Sequence, residues 1–167
     1  LGSVNLAQLV LDPFTPEARL DEARFQEIVP LAVRMLDNAI DASLFPLEAQ
    51  RQEAHAKRRI GLGVTGLADA LILCGARYGS EQAVRLTERW MKALRDIAYQ
   101  ASIDLAKEKG AFPLFDRDPY LAGETVKELG ESLRAGIAKH GIRNALLTSI
   151  APTGTISLLA DNVSSGI

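Results

Sequence analysis

The chain has 167 residues and a mass of 18.0 kDa; 47% of its residues are hydrophobic, 24% charged and 5% aromatic. That length fits one domain with a core that forms without disulfide or metal staples. Nineteen Lys and Arg against 21 Asp and Glu leave a formal net charge of -2, which supplies no basic field for gripping duplex phosphate. The single cysteine, Cys74, excludes a disulfide framework and any multi-cysteine zinc site, and it suits a reducing compartment. Apolar runs such as Leu71 to Cys74 are far too short to span a bilayer, and the opening residues lack the pattern of a secretion signal. The expectation is a soluble, cytoplasmic protein that has neither nucleic acid nor membrane as a partner. Apolar ends, Leu1-Gly-Ser-Val-Asn-Leu-Ala and Ser165-Gly166-Ile167, suggest a segment cut from a longer chain, since free termini are usually polar and frayed.

In chain order, Val4 to Val10 reads as a short strand or the entry to a helix, broken at Asp12-Pro13. Thr15-Pro16-Glu17 has a hydroxyl cap, a proline at the first position and an acid in the first turn, so it predicts a helix start. Phe25, Ile28, Val29, Ala32, Leu36, Ala39 and Ile40 form a helical stripe. Pro30 lies inside it and predicts a kink or break near Glu27. Glu48 to Arg59 is a charged short helix or loop. Ile60, Leu62 and Val64 alternate with glycines, as in a short strand where another backbone comes close. Leu67 to Leu73 predicts a helix ending at Gly75.

Ser80 caps the clearest helix. Ala83, Leu86, Trp90, Leu94, Ile97, Ala101 and Leu105 form one face of it, and Gly110 stops it. Thirty or so helical residues span roughly 45 Å. Val126, Leu129, Leu133 and Ile137 predict one further helix, weakened by Gly130 and Gly136 and ended by Gly141. Ala145 to Ile150 reads as a buried strand, Ala151-Pro-Thr-Gly as a turn, and Thr155 to Ala160 as a last helix. Helices alternating with about three short strands make a helix-rich α/β fold with parallel strands and helical crossovers. So few strands leave a sheet lacking neighbours.

Gly61-Leu-Gly63-Val-Thr-Gly66 matches the dinucleotide fingerprint in letters only. The preceding His55-Ala-Lys-Arg-Arg-Ile is too basic for a buried strand, and Glu81 and Glu88 fall within the long helix rather than at a strand end. Close packing explains these glycines better. Thr148 to Ser157 is the richer stretch, because a turn there feeds a helix N-terminus crowded with small and hydroxyl residues. The first amides of a helix lack internal partners and carry the positive end of its dipole. Gly154 lets a phosphate approach them while Thr153, Thr155 and Ser157 offer hydroxyls. Ordinary N-capping by Thr153 or Thr155 is the alternative.

Lys57-Arg58-Arg59 reads as a solvated basic face, and Asp37, Asn38 and Asp41 read as capping and surface residues or an acidic site. Cys74, among Leu71, Ile72 and Leu73, reads as inert. His55 and His140 have no partners at metal-ligand spacing, so no metal site and no catalytic residue is assigned.

Three blocks in order resemble one family: Leu1-Gly-Ser-Val-Asn-Leu-Ala; Arg59-Ile-Gly-Leu-Gly-Val-Thr-Gly-Leu-Ala-Asp-Ala-Leu; and Ala151-Pro-Thr-Gly-Thr-Ile-Ser with Val163-Ser-Ser-Gly-Ile. Together with Asp37-Asn-Ala-Ile-Asp41 and Ala106-Lys-Glu-Lys-Gly110-Ala-Phe-Pro, they are similar to the large-subunit core of ribonucleotide reductases, with a leaning to the adenosylcobalamin-dependent class. The resemblance implies part of one half of a ten-stranded α/β barrel, with residues 1–167 as a single segment of its C-terminal half. It implies an oxidoreductase of deoxyribonucleotide biosynthesis that serves DNA replication by thiyl-radical chemistry. It assigns Thr153, Gly154, Thr155, Ile156 and Ser157 to the substrate phosphate.

The family's radical and redox cysteines match nothing here, so this piece alone would be inactive. Adenosylcobalamin would belong to the parent enzyme and not to this segment. The implied partners are a ribonucleotide, diphosphate or triphosphate, and the remaining barrel; whether the parent is a homo-oligomer stays open. The second reading is a non-enzymatic helical interaction module that uses the Ala83 to Leu105 stripe.

Overall fold

The computed structural model describes all of residues 1–167, which divide into two compact units. The first comprises Leu1–Val29, Gly61–Leu94 and Ser149–Ile167; the second comprises Pro30–Ile60 and Arg95–Thr148. The elements in order are β1 (Gly2–Asn5), a 3-10 turn (Leu6–Leu9), β2 (Val10–Leu11), β3 (Arg19–Leu20), α1 (Glu22–Ala42) and α2 (Glu48–Lys57). β4 (Leu62–Thr65), α3 (Leu67–Leu73) and α4 (Glu81–Lys109) follow, then α5 (Arg117–Leu121), α6 (Glu124–Lys127), α7 (Glu131–His140) and α8 (Gly154–Leu159).

In the first unit β1 and β4 pair in parallel, with Gly2 opposite Leu62 and Asn5 opposite Thr65. All four residues of β4 are buried, as expected of a strand covered on both faces. Val4, Leu6, Leu62, Val64, Leu67, Leu71, Trp90 and Leu94 make the core of this unit. A separate two-residue antiparallel pair, β2 with β3, stands beside no third strand. The helix-rich α/β class therefore stands, while the expected third parallel strand does not. Ala145 to Ile150 forms no strand, only a single bridge at Thr148: Ser149 N–H reaches the Leu62 carbonyl at 3.1 Å and the Leu146 carbonyl accepts the Ile60 amide at 3.0 Å, but no continuous ladder follows. An apolar run alone does not supply the ladder partners that define a strand.

Thr15-Pro16-Glu17 starts no helix. The Thr15 hydroxyl donates to the Asp12 carbonyl at 2.7 Å and accepts the Glu17 amide at 3.3 Å, a local turn that leads into β3. The helix start lies later, where Asp21 Oδ1 accepts the Arg24 amide at 2.9 Å. α1 then runs through Pro30 without a break. One missing donor costs less than unburying Phe25, Val29 and Val33, none of which is more than 1% exposed.

In the second unit Val33, Ala98, Ile103, Leu105, Phe112, Leu133, Ile137 and Ile142 form the core. The single helix expected over Val126 to Ile137 is two, α6 and α7, because Gly130 takes an extended conformation and becomes the N-cap of α7. α4 follows its expectation. Ser80 Oγ accepts the Ala83 amide at 3.2 Å, and Gly110 ends the helix at φ 84°. Ala83, Trp90, Leu94, Ala101 and Leu105 are all buried within the chain itself. Leu86 and Ile97 are half-buried, so most of that stripe is core and little of it remains as surface for the helical-module reading.

Candidate functional site

Thr153 is the N-cap of α8 and sits in the left-handed region at φ 54° and ψ 20°. A β-branched residue there is an outlier that surrounding bonds must hold in place. Those bonds are present. Thr153 Oγ1 accepts the Gly166 amide at 2.8 Å and lies 3.4 Å from Thr65 Oγ1, while the Thr153 carbonyl accepts the Ser157 amide at 2.8 Å. Ser157 Oγ donates to the Gly154 carbonyl at 2.8 Å. Both hydroxyls are therefore buried and used within the protein.

The three residues between them differ. The amides of Gly154, Thr155 and Ile156 donate to no acceptor in the protein, and all three residues are exposed. Nothing lies within 4 Å of where a Cβ on Gly154 would stand. The start of α8 is thus an open bend whose orphan donors carry the positive end of a short helix. Among the five residues singled out from sequence, Gly154, Thr155 and Ile156 face the open side, whereas Thr153 and Ser157 shape the bend from within.

Residues that the sequence reading did not single out hold this bend. Ser164 Oγ accepts the Ala68 amide at 3.0 Å, and its carbonyl accepts both the Gly66 amide at 2.7 Å and Thr65 Oγ1 at 2.8 Å. The Ser164 amide donates to Asp69 Oδ2 at 2.5 Å. A distant serine thus caps α3, which has no cap of its own in Gly66. Only the co-occurrence of Asp69 and Val163-Ser-Ser-Gly could have hinted at this, and no spacing rule connects residues 95 apart.

The glycine run is a packing device. A Cβ on Gly63 would stand 2.2 Å from the Ser149 carbonyl oxygen; one on Gly61 would stand 2.5 Å from Leu1 Cδ2. All six residues from Gly61 to Gly66 are buried, so no room remains for a pyrophosphate.

In the second unit Arg58 corrects the solvated-face expectation. It is buried, at φ 46°, and its Nε donates to Asp37 Oδ1 at 2.8 Å. Its terminal nitrogens donate to both Asp41 carboxylate oxygens and to the Asp37 carbonyl. Asp37, with no exposed surface, also accepts from Asn144 Nδ2 at 3.0 Å and Arg143 Nε at 3.3 Å. Asp37 and Asp41 are therefore members of an ion network and not caps. Hydrogen bonding to Arg58 holds the Asp41 carboxyl below its ordinary value. His55 Nδ1 lies 3.7 Å from Asp41 Oδ1, and His140 closes α7. Burial pushes the Cys74 thiol up, which disfavours the reactive thiolate. No three His, Cys, Asp or Glu side chains cluster as a metal site.

Two cavities lie in the first unit. One of about 500 Å³ is lined by Leu20, Glu22, Cys74, Arg89 and Trp90, with Arg89 paired to Glu22. The other, of about 390 Å³, is lined by Leu67, Leu71, Tyr78, Val84, Met91 and Ile167. Neither includes the Thr153 bend. No helix is long and apolar enough to cross a membrane.

Comparison with known proteins places the chain. The family model described as ribonucleotide reductase, barrel domain, matches residues 1–167. The vitamin B12-dependent ribonucleoside-diphosphate reductase of Mycobacterium tuberculosis (strain ATCC 25618 / H37Rv) is 43% identical over 161 residues, covering 96% of this chain and 20% of that protein. A protein of the same description from Thermoplasma acidophilum is 39% identical over 160 residues, covering 96% and 18%. The ribonucleoside-diphosphate reductase subunit alpha of Chlamydia muridarum is 36% identical over 179 residues, covering 94% and 17%. The chain thus spans about a fifth of the length of these relatives. A match along every residue, and relatives of one description from distant organisms, agree with the three ordered blocks: the chain belongs to the ribonucleotide reductase barrel-domain family.

Proposed function

We propose that this chain is one segment of a ribonucleoside-diphosphate reductase and that its own contribution is the turn that holds the substrate phosphate. The carrying observation is the set of three unpaired amides on the exposed residues Gly154, Thr155 and Ile156. A phosphate seated there would accept from those amides and from the exposed Thr155 hydroxyl. Thr153 and Ser157 contribute by keeping the bend in shape. In this reading the phosphate contact supplies binding energy that the ground state and the transition state share, so its loss falls on KM.

The parent reaction in this reading is hydrogen abstraction from the ribose by a thiyl radical, loss of the 2′-hydroxyl as water and re-reduction by a cysteine pair. None of those cysteines is in this chain, whose isolated form is inactive in this reading. Cobalamin, named for two of the relatives, would generate the radical in the parent. Neither of the two cavities has a histidine in its lining that could ligate the cobalt, and no residue of this chain is assigned to hold the group.

Replacing Thr155 by Glu tests the reading, because it places a negative charge beside the orphan amides on an exposed residue. In the full-length protein Thr155→Glu is expected to raise KM for a ribonucleoside diphosphate by about tenfold or more, with kcat within about twofold and Tm unmoved. An unchanged KM overturns the phosphate role.

A further inference from the structure

We propose that Asp69 is a positioning residue for the phosphate turn: by anchoring Ser164 it sets the Ser164–Gly166 segment, which holds Thr153 in the left-handed geometry that aims the α8 amides. This rests on the phosphate reading and extends it to a residue outside the turn. The linkage is continuous in hydrogen bonds. The Asp69 carboxylate accepts the Ser164 amide at 2.5 Å. Two residues on, Gly166 turns at φ 59°, and its amide donates to Thr153 Oγ1 at 2.8 Å. A Cβ on Gly166 would stand 3.5 Å from the Ala151 carbonyl oxygen and 3.6 Å from that of Pro152, so this segment lies directly against the turn. A second path runs from the Ser164 carbonyl through Thr65 Oγ1 to Thr153 Oγ1. Both paths converge on the strained residue that cannot hold its conformation by itself.

Capping of α3 accounts for the Ala68 bond to Ser164 Oγ, but it leaves the Gly166 amide and its Thr153 partner unexplained. The Asp69 carboxylate restrains Ser164 from a side that the cap does not reach. Loss of that restraint frees Gly166 to drift, and with it the left-handed conformation of Thr153 at the head of α8.

The test compares Asp69→Ala and Asp69→Asn in the full-length protein, measuring equilibrium binding of a ribonucleoside diphosphate and of the unphosphorylated nucleoside, together with kcat at saturation. Asp69→Ala is expected to weaken diphosphate binding by about tenfold while nucleoside binding and kcat stay within about twofold. Asp69→Asn keeps a side-chain oxygen that can accept the Ser164 amide and is expected to remain within about threefold of the unaltered protein. Should Asp69→Ala fail to fold, Asp69→Glu, which keeps the carboxylate but displaces it by one methylene from the Ser164 amide, is expected to weaken diphosphate binding by about threefold. Unchanged diphosphate binding, an equal loss for the nucleoside, or an Asn variant as weak as the Ala variant overturns the proposal. Thr155→Glu, measured alongside, separates the two ideas. If it weakens diphosphate binding and the position-69 variants do not, the Asp69 proposal falls alone; if it has no effect, the phosphate role falls and takes this proposal with it.

Discussion

Gly63 and Gly75 show how one residue type serves two ends. At Gly63 a methyl group would meet the Ser149 carbonyl oxygen at 2.2 Å, a backbone atom with no flexible end to give way. At Gly75 there is open space, and the need is for φ 69° alone. Gly75→Ala is therefore expected to cost about 1–2 kcal/mol, the left-handed penalty. Gly63→Ala is expected to cost about 3 kcal/mol or more, since the overpacked atom cannot move without pulling Ser149 from β4. Chemical denaturation of both variants reads the difference, and equal values would show that the close approach is not a constraint. The fingerprint letters were legible at once. Their meaning was not, because a short glycine motif looks alike whether a phosphate or a carbonyl comes close.

Between elements, the network of Arg58, Asp37, Asp41, Arg143 and Asn144 ties α1, the end of α2 and the segment after α7 within the second unit. Removing one partner from a buried pair leaves an uncompensated charge, so Asp37→Ala is expected to cost about 3–5 kcal/mol. Asp41 is half exposed, and Asp41→Asn is expected to cost no more than about 1 kcal/mol. Its pH dependence has a definite sign. The Arg58 hydrogen bond lowers the Asp41 pKa on folding, so its contribution is present above the unfolded value of about 4 and is lost as pH falls through the folded value. The gap in Tm between the unaltered protein and Asp41→Asn is expected to be constant above about pH 5 and to close in more acid solution. A gap that persists unchanged into acid would remove Arg58 as its cause. The sequence pattern showed a basic triplet and a pair of acids. Their pairing depends on Arg58 taking a left-handed conformation at the end of α2, which no local rule selects.

On the scale of the molecule, several large apolar side chains find no cover within the chain. Leu159 is 87% exposed and Leu158 66% exposed on α8, and Val84 and Tyr78 rim the smaller cavity. Large exposed apolar patches on soluble proteins usually have a partner that covers them. The isolated 167-residue chain is expected to self-associate, and light scattering should show a mass well above 18.0 kDa. Leu159→Lys together with Leu158→Lys should lower that mass. A monodisperse monomer would show that this surface is tolerated in water. In the parent reading, the rest of the barrel is what covers it.

Composition, periodicity and the three ordered blocks were enough to determine the helix-rich α/β class, the span of α4, and membership of the reductase family. These depend on local spacing and on residue identity, both written directly in the chain. The tertiary structure alone decided that Ala145 to Ile150 is not a strand, that Arg58 is buried, and that the Thr153 and Ser157 hydroxyls turn inward while three amides remain free. Each of those outcomes hangs on partners far away in sequence, such as Leu62, Asp37 and Gly166, and a hydrogen bond between distant residues leaves no period to read.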